Sequence, residues 1–212
     1  MKTNYQTELD AVIADLGETR PTLLLHSCCG PCSSYVLEAL VPHFRTTVLY
    51  YNPCIAPEEE YLHRKAVQLD LIEQLNANGA DIGVLDAEYD HGSYLARVAG
   101  HENDPEGGDR CTLCFEQRLR RTAEAAKAGG YDWFCTTLTV SPHKDAERLN
   151  RIGRSMADET GVPFLPSDFK KKNGYKRSIE LSKEYSLYRQ DYCGCEFSAR
   201  PDENDTGEGR SL

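Results

Sequence analysis

The stretch Thr22-Leu-Leu-Leu-His26, continued by Ser27-Cys-Cys-Gly-Pro-Cys32 and Ser33-Ser-Tyr-Val-Leu-Glu-Ala-Leu40, decides the fold class. Its first part is a short apolar run of strand length, and its last part spaces apolar residues as a helix does. The stretch therefore predicts a strand, a cysteine loop and a helix. Ser33 or Ser34 is the expected N-cap, because serine hydroxyls accept hydrogen bonds from the free N–H groups of a first helical turn.

The same alternation of strand and helix continues along the chain. Further strands are expected at 46–51, 80–85, 133–137 and 162–165, and helices at 9–16, 58–76, 94–99, 111–127, 146–159 and 178–187. This order predicts an α/β fold with a parallel sheet of about five strands and helices on both faces. Ligands of such sheets bind beyond the carboxyl ends of the strands. The cysteine loop and the segment Thr136–Lys144 both follow strands, so both are expected at that edge.

Two segments depart from the alternation, residues 89–114 and 168–198. Each is rich in loops and each contains a close pair of cysteines. Long loops within compact domains are usually functional. We expect these segments to form a cysteine-rich metal-binding insertion that closes the site at the sheet edge.

The bulk properties indicate a single α/β metal-cluster domain over residues 1–198, because 212 residues suit one hydrophobic core. Residues 199–212 are acidic and almost free of apolar side chains, which predicts a disordered tail. No apolar stretch approaches the roughly 18 residues of a membrane span, and the first residues resemble no secretory signal. These features predict a cytoplasmic protein without a membrane partner.

The formal net charge of −10 disfavours broad, non-specific attraction to nucleic acid. A local basic site remains open, since Lys170-Lys-Lys-Asn-Gly-Tyr-Lys-Arg177 concentrates positive charge between two parts of the expected metal site. Contact with phosphate or RNA and an ordinary solvated loop are both compatible with this stretch.

Seven of the nine cysteines fall into three tight groups, which is more thiolate than one tetrahedral zinc ion uses. The pattern indicates a polynuclear iron–sulfur centre, or a cluster plus a second metal ion. Adjacent Cys28 and Cys29 favour two metals, because neighbouring side chains are expected to diverge. The candidate metal ligands are Cys28, Cys29, Cys32, Cys111, Cys114, Cys193 and Cys195.

Two other uses of these thiols stay open at this point. A structural zinc site assembled from distant parts of the fold is one. A dithiol mechanism is the other, because Cys29-Gly-Pro-Cys32 at a helix start is similar to a thioredoxin motif, but it leaves five clustered cysteines idle. Cys54 and Cys135 are isolated, and we interpret both as structural, since a free cysteine is most often a small buried hydrophobe.

Several blocks together resemble the QueH family of epoxyqueuosine reductases, in the right order from about Leu23 to Ser198. The blocks are His26-Ser-Cys-Cys-Gly-Pro-Cys32, Tyr51-Asn-Pro53, Glu60-Tyr61 with Arg64, Arg110-Cys-Thr-Leu-Cys114, Arg118-Leu119, Thr136-Thr-Leu-Thr-Val-Ser-Pro-His-Lys144 and Tyr185-Ser-Leu-Tyr-Arg-Gln-Asp-Tyr-Cys-Gly-Cys195. The resemblance implies a fold akin to the PP-loop (HUP-like) nucleotide-binding proteins. It also implies reduction of the epoxide of epoxyqueuosine in tRNA. Cys54 departs from the family, where we expect an asparagine or another polar residue.

The resemblance further implies a 4Fe-4S cluster beside a separately held iron ion. We assign Cys29, Cys111 and Cys114 to the cluster. The other four thiols would share the fourth cluster position and the adjacent iron; they are Cys28, Cys32, Cys193 and Cys195. Of the seven metal-ligand candidates, six are candidates for binding the cluster itself: Cys28, Cys29, Cys111, Cys114, Cys193 and Cys195.

Conversion of an epoxide to an alkene consumes two electrons and two protons and releases water. The expected proton donors are His143, Lys144, Asp168 and Tyr175, because they lie in loops at the same sheet edge. Each also has an ordinary structural interpretation, as a cap, a turn or a packing residue. No nicotinamide or P-loop motif is present in the sequence, so we expect an external electron donor such as ferredoxin or flavodoxin.

Under this interpretation tRNA is the macromolecular partner. The basic stretch 170–177 is expected to contact the backbone with help from Arg118, Arg120 and Arg121. Tyr185, Tyr188 and Tyr192 are spaced to stack on an extruded base or to pack as one helical face.

Three other functions compete. One is a non-catalytic zinc module that binds RNA or protein, and another is a thiol–disulfide oxidoreductase using Cys29 and Cys32. The third is sulfur transfer to tRNA, which needs ATP, and the first loop lacks the SGGxDS pattern that would bind its phosphates.

Overall fold

A computed structural model of the protein describes residues 3–198. Four parallel strands form its sheet in the order β3-β2-β1-β4. The strands are β1 (Thr22–Ser27), β2 (Arg45–Tyr50), β3 (Gly83–Leu85) and β4 (Trp133–Thr136). The helices are α1 (Tyr5–Leu16), α2 (Gly30–Leu40), α3 (Glu58–Ala77), α4 (His91–Val98), α5 (Asp109–Gly129), α6 (Ala146–Thr160) and α7 (Gly174–Glu184). The prediction of a parallel α/β fold is confirmed.

The fifth strand expected at 162–165 does not form. Phe134 N donates to Pro163 O at 3.0 Å and Leu165 N donates to Phe134 O at 2.9 Å, which makes a single parallel bridge between Phe134 and Phe164. Pro163 has no N–H to offer to a ladder, so the pairing cannot extend before it. Beyond the bridge, Ser167 N donates to Asn150 Oδ1 at 3.0 Å and not to β4. The segment still covers the edge of β4.

Helices cover both faces of the sheet, because neighbouring strand residues point into two different cores. Leu23 and Leu25 of β1 belong to one buried cluster, together with residues of α1, α2 and α3, whereas Leu24 belongs to a second cluster with residues of α5 and α6. On β4, Cys135 and Phe134 divide in the same way. Strands buried on both sides are typical of parallel sheets.

Helix α2, which follows β1, starts earlier than expected. Cys29, and not Ser33 or Ser34, is the N-cap of α2, and its backbone is extended, with φ −175° and ψ 162°. Pro31 occupies the first turn, where a missing N–H costs nothing. Consequently Cys29 lies at the helix start and Cys32 lies within the first turn.

Residues 199–212, expected to be disordered, lie outside the described residues. None of the helices described between residues 3 and 198 has both the length and the apolar composition of a membrane span.

Candidate metal centre

A pocket of about 320 Å³ opens at the carboxyl edge of the sheet. All seven clustered cysteines line it, although they come from three distant parts of the chain. The loop after β1, the start of α5 and the segment after α7 meet there. Parallel strands end at one edge, and the segments 89–114 and 168–198 fold over that edge, so the pocket lies where the sequence predicted it.

The first group of thiols converges on one point. Cys28 Sγ and Cys29 Sγ lie 3.9 Å apart, and these two atoms and Cys32 Sγ all lie within 4.8 Å of one another. The expectation that adjacent Cys28 and Cys29 diverge is therefore wrong here. The reason is local, because the chain turns from strand into helix at Cys29 and the side chains no longer alternate.

Hydrogen bonds that involve polar side chains fix the loop between β1 and α2. Ser27 Oγ donates to Gln68 Oε1 at 2.5 Å, and Asn52 Nδ2 donates to Ser27 O at 2.8 Å. On the other side, Cys28 N donates to Thr137 Oγ1 at 3.2 Å. Since these partners belong to α3, the loop after β2 and the turn after β4, the cysteine loop is tied to three neighbouring parts of the fold.

The second group, Cys111 and Cys114, is joined in the pocket by Cys54. Cys111 and Cys114 lie in the first turns of α5, and Gly107 N donates to Cys111 Sγ at 3.2 Å. Cys54 is buried and lines the same pocket. Cys54 closely follows β2, so it lies at the same sheet edge as the clustered cysteines. Cys135, in contrast, is fully buried in β4 and does not line the pocket.

The third group lies on a turn that is held against the start of α3. Cys195 pairs with Ile55 in an antiparallel bridge, and Ala56 N donates to Gly194 O at 2.9 Å. Tyr94 Oη lies 3.0 Å from Cys195 Sγ. Cys195 is buried as a result, whereas Cys193 is half-buried.

Arg110, next to Cys111, joins the segments that carry the second and third groups. Its side chain is 1% exposed, and Nη1 donates to the carbonyl oxygens of Glu102 at 2.7 Å and Asp104 at 2.5 Å. Nη2 reaches Phe197 O at 3.5 Å and Ser198 Oγ at 3.3 Å. A guanidinium has five donors in a rigid fork, which suits it to tie several carbonyl groups together.

Each thiol group contains one cysteine whose thiolate is favoured. Hydrogen bonds from Cys29 and Cys32 hold the pKa of Cys28 well below its usual range. A hydrogen bond from Cys114, followed by the charge of Arg118, lowers the pKa of Cys54 to about 7. A hydrogen bond from Cys195 lowers the pKa of Cys193 to about 5. Thiolates are the metal-binding form of cysteine.

Two cations face these thiolates. Lys144 lines the pocket, and the charges of Cys28 and Cys193 raise its pKa against the opposing effect of burial. Arg118 is 5% exposed, its Nε donates to Cys114 O at 3.3 Å, and its Cζ lies 5.6 Å from the centre of the Phe115 ring. The pocket thus combines an anionic wall of sulfur with two buried or half-buried positive charges.

The structure brings three of the four candidate proton donors to the pocket. His143, Lys144 and Tyr175 line it. Asp168 is not among the lining residues; it is buried beside Lys170, with 2.5 Å between its Oδ1 and Lys170 Nζ. The ion pair accounts for the position of Asp168.

Three of the five positive charges in the basic stretch 170–177 are paired with acidic side chains, those of Lys170, Lys172 and Arg177. Lys172 Nζ lies 2.7 Å from Asp10 Oδ2, and Arg177 Nη2 lies 2.7 Å from Glu38 Oε2. Arg118, expected to contact an RNA backbone, is instead part of the pocket wall.

The three tyrosines Tyr185, Tyr188 and Tyr192 do not form one helical face. Helix α7 ends at Glu184, so Tyr188 and Tyr192 lie beyond it. Tyr185 packs against the first core cluster. Tyr188 is 40% exposed and contacts His63 edge-on, with the ring centres 4.5 Å apart.

Comparison with known proteins agrees with this geometry. Residues 23–201 match the family model described as epoxyqueuosine reductase QueH. An epoxyqueuosine reductase QueH from Staphylococcus epidermidis is 44% identical, over 93% of this chain and 85% of the relative. One from Streptococcus pyogenes is 41% identical, over 94% and 81%, and one from Thermotoga maritima is 34% identical, over 84% and 90%. With its cysteine groups in one pocket and this likeness along most of its length, the chain belongs to the QueH family of epoxyqueuosine reductases.

Proposed function

We propose that the thiol-lined pocket is where this chain, an oxidoreductase, reduces the epoxide of epoxyqueuosine in tRNA to the alkene of queuosine. The reaction breaks both carbon–oxygen bonds of the epoxide, forms a carbon–carbon double bond, consumes two electrons and two protons, and releases water. The observation that carries the proposal is the convergence of eight thiols on one pocket that also holds Lys144.

The donor set fits a metal–sulfur group. The sulfur atoms of Cys28, Cys29 and Cys32 lie within 4.8 Å of one another, close enough to take part in metal binding, and five further thiols line the same pocket. Soft thiolate ligands favour iron–sulfur clusters and zinc. We propose a 4Fe-4S cluster on Cys29, Cys111 and Cys114, whose fourth position and adjacent iron would use the remaining candidates Cys28, Cys32, Cys193 and Cys195. When bound, this group would supply single electrons and a Lewis acid.

The side chains of the pocket would bind the substrate and deliver protons. Lys144 is the donor we favour, because neighbouring thiolates keep it charged and it faces the sulfur wall. An ammonium group at this position can donate a proton to the departing oxygen. His143 and Tyr175 line the same pocket and remain candidates for the second proton, whereas Asp168 would act through its ion pair with Lys170.

The partners follow from this chemistry. The tRNA would present its modified base to the pocket. The exposed ring of Tyr188, which directly precedes the pocket-lining residue Arg189, offers a stacking surface. We propose ferredoxin or flavodoxin as the electron donor. Free thiols suit a reducing compartment, and we place the reaction in the cytoplasm. We further propose that residues 1–198 act as one domain with a PP-loop (HUP-like) fold.

The test begins with iron and acid-labile sulfide per chain in protein purified without oxygen. We expect about four or five irons, four sulfides and a brown chromophore. A single zinc without sulfide would reject the cluster and favour the zinc module. Protein that contains the expected iron and sulfide is then assayed on tRNA containing epoxyqueuosine with a chemical reductant.

The variant Lys144→Gln then tests the proposed donor, with Lys183→Gln, an exposed residue of α7, as the matched control. We expect a loss of about 100-fold or more in kcat for Lys144→Gln and no change for Lys183→Gln. A wild-type kcat in Lys144→Gln would refute the role of Lys144.

A further inference from the structure

Arg64 is buried beneath the turn that carries Cys193 and Cys195. It projects from α3, is 1% exposed, and its Nε donates to Glu60 Oε1 at 2.6 Å. The ring of Tyr192 covers the guanidinium, with Cζ 5.0 Å from the ring centre. The burial of Arg64 keeps water away from its ion pair with Glu60. This pair therefore differs from ion pairs on the surface, which contribute little to stability.

The turn itself rests on this guanidinium. Gly194 adopts a φ of +95°, and a Cβ at this position would lie 3.0 Å from Arg64 Nη1 and 2.9 Å from Ile55 Cγ1. Only glycine lets the backbone approach so closely. Arg64 and Ile55 thus form the seat on which the third thiol group is placed.

One part of the guanidinium is left without a partner. Nη2 is buried and has no hydrogen bond to any of residues 3–198, while the side chain lines the thiol pocket. Leaving a buried charged donor unpaired is costly, so an anionic acceptor in the pocket is expected. Burial opposes the charge of Arg64, yet its pKa is raised, first by Glu60 and then by the charge of Cys29. The hydroxyl of Tyr50, also close to Cys29, is likewise buried and unpartnered.

We infer that Arg64 is a positioning residue that seats the Cys193-Gly194-Cys195 turn against the loop after β2 and directs Nη2 at the anionic sulfur group held in the thiol pocket. The seating of the turn is independent of any metal. The direction of Nη2 toward an anionic sulfur group rests on the proposed iron–sulfur function.

The first test uses reduced, metal-free protein. The rates at which iodoacetamide alkylates Cys195 and Cys135 are followed by mass spectrometry in wild type, Arg64→Gln and Arg64→Lys. We expect Cys195 to react about tenfold faster in Arg64→Gln, because loss of the seat raises the population of the open turn. Arg64→Lys is expected to be intermediate, since lysine keeps the charge and lacks the planar fork.

The control variant is Arg97→Gln, which removes an exposed arginine paired with Glu116 and should leave both rates unchanged. An unchanged rate of Cys195 in Arg64→Gln would overturn the seating role. Equal acceleration of Cys135, which lies in the core, would indicate general unfolding and would also overturn it.

The second test measures the midpoint potential of the iron–sulfur protein by redox titration. Removing a positive charge beside an anionic cluster disfavours the added electron, so Arg64→Gln should shift the potential to more negative values and Arg64→Lys should restore most of the shift. An unchanged potential in Arg64→Gln would refute the direction of Nη2. Wild-type protein without sulfide would refute the proposed cofactor and, with it, the direction of Nη2, and would leave the alkylation result to decide the seating.

Discussion

Replacing Gly194 by alanine should displace the third thiol group, and the structure supplies the magnitude. An L-residue at φ +95° costs about 1 to 2 kcal/mol, and the new Cβ would meet Ile55 Cγ1 at 2.9 Å and Arg64 Nη1 at 3.0 Å, which adds about 1 to 3 kcal/mol of overpacking. The total of about 2 to 5 kcal/mol is a large part of the 5 to 15 kcal/mol by which a domain is stable. In Gly194→Ala the turn either stays in place and destabilises the fold, or it moves away from Arg64 and Ile55.

Urea unfolding and the alkylation rate of Cys195, measured on the same preparation, distinguish these two responses. Gly161→Ala is the matched control, because Gly161 has a φ of +79° and a Cβ there would meet nothing within 4 Å. This control should lose only the backbone term, about 1 to 2 kcal/mol, and leave Cys195 unreactive. If Gly194→Ala loses no more stability than Gly161→Ala, and if its Cys195 is alkylated no faster, then the close contact of Gly194 with Arg64 and Ile55 is refuted.

Two further predictions concern single side chains of the site and the core. Tyr94→Phe removes the hydroxyl that lies 3.0 Å from Cys195 Sγ. It should lower the free energy of unfolding, measured in urea titrations, by about 1 kcal/mol. An unchanged free energy would mean that this hydrogen bond contributes nothing to stability. Cys135→Ala should keep the iron content of wild type, because Cys135 does not line the pocket, whereas Cys114→Ala should lose most of it; equal iron in both variants would contradict the assignment of Cys114.

The sequence predicted the α/β class and the elements of the sheet well, because each strand is a short apolar run and each helix has a periodic apolar face. It failed at 162–165, where Pro163 on one side of the bridge and the hydrogen bond from Ser167 N to Asn150 on the other limit the pairing to one bridge. It also misplaced the start of α2, since the extended backbone at Cys29 makes that residue the N-cap and not Ser33 or Ser34. Such local backbone choices depend on neighbouring elements as well as on residue preference.

Charge partners were harder to predict than elements. The stretch 170–177 suggested a free basic surface, but Asp10 and Glu38, both far away in the sequence, neutralise Lys172 and Arg177. Asp168 was expected among the donors of the site, yet its partner is Lys170 and it does not line the pocket. A single sequence shows how many charges a chain carries, and only the fold shows which of them meet.

The sequence by itself predicted a thiolate-rich site, because seven of its nine cysteines fall into three tight groups, and the reaction followed from the resemblance of several motifs to the QueH family. What only the tertiary structure decided is how that site is completed. It added Cys54 to the wall of the pocket, turned Arg118 inward and placed Arg64 beneath Gly194. These residues lie far from most of their partners in sequence, and a contact between distant residues leaves no periodic or compositional trace until the chain has folded.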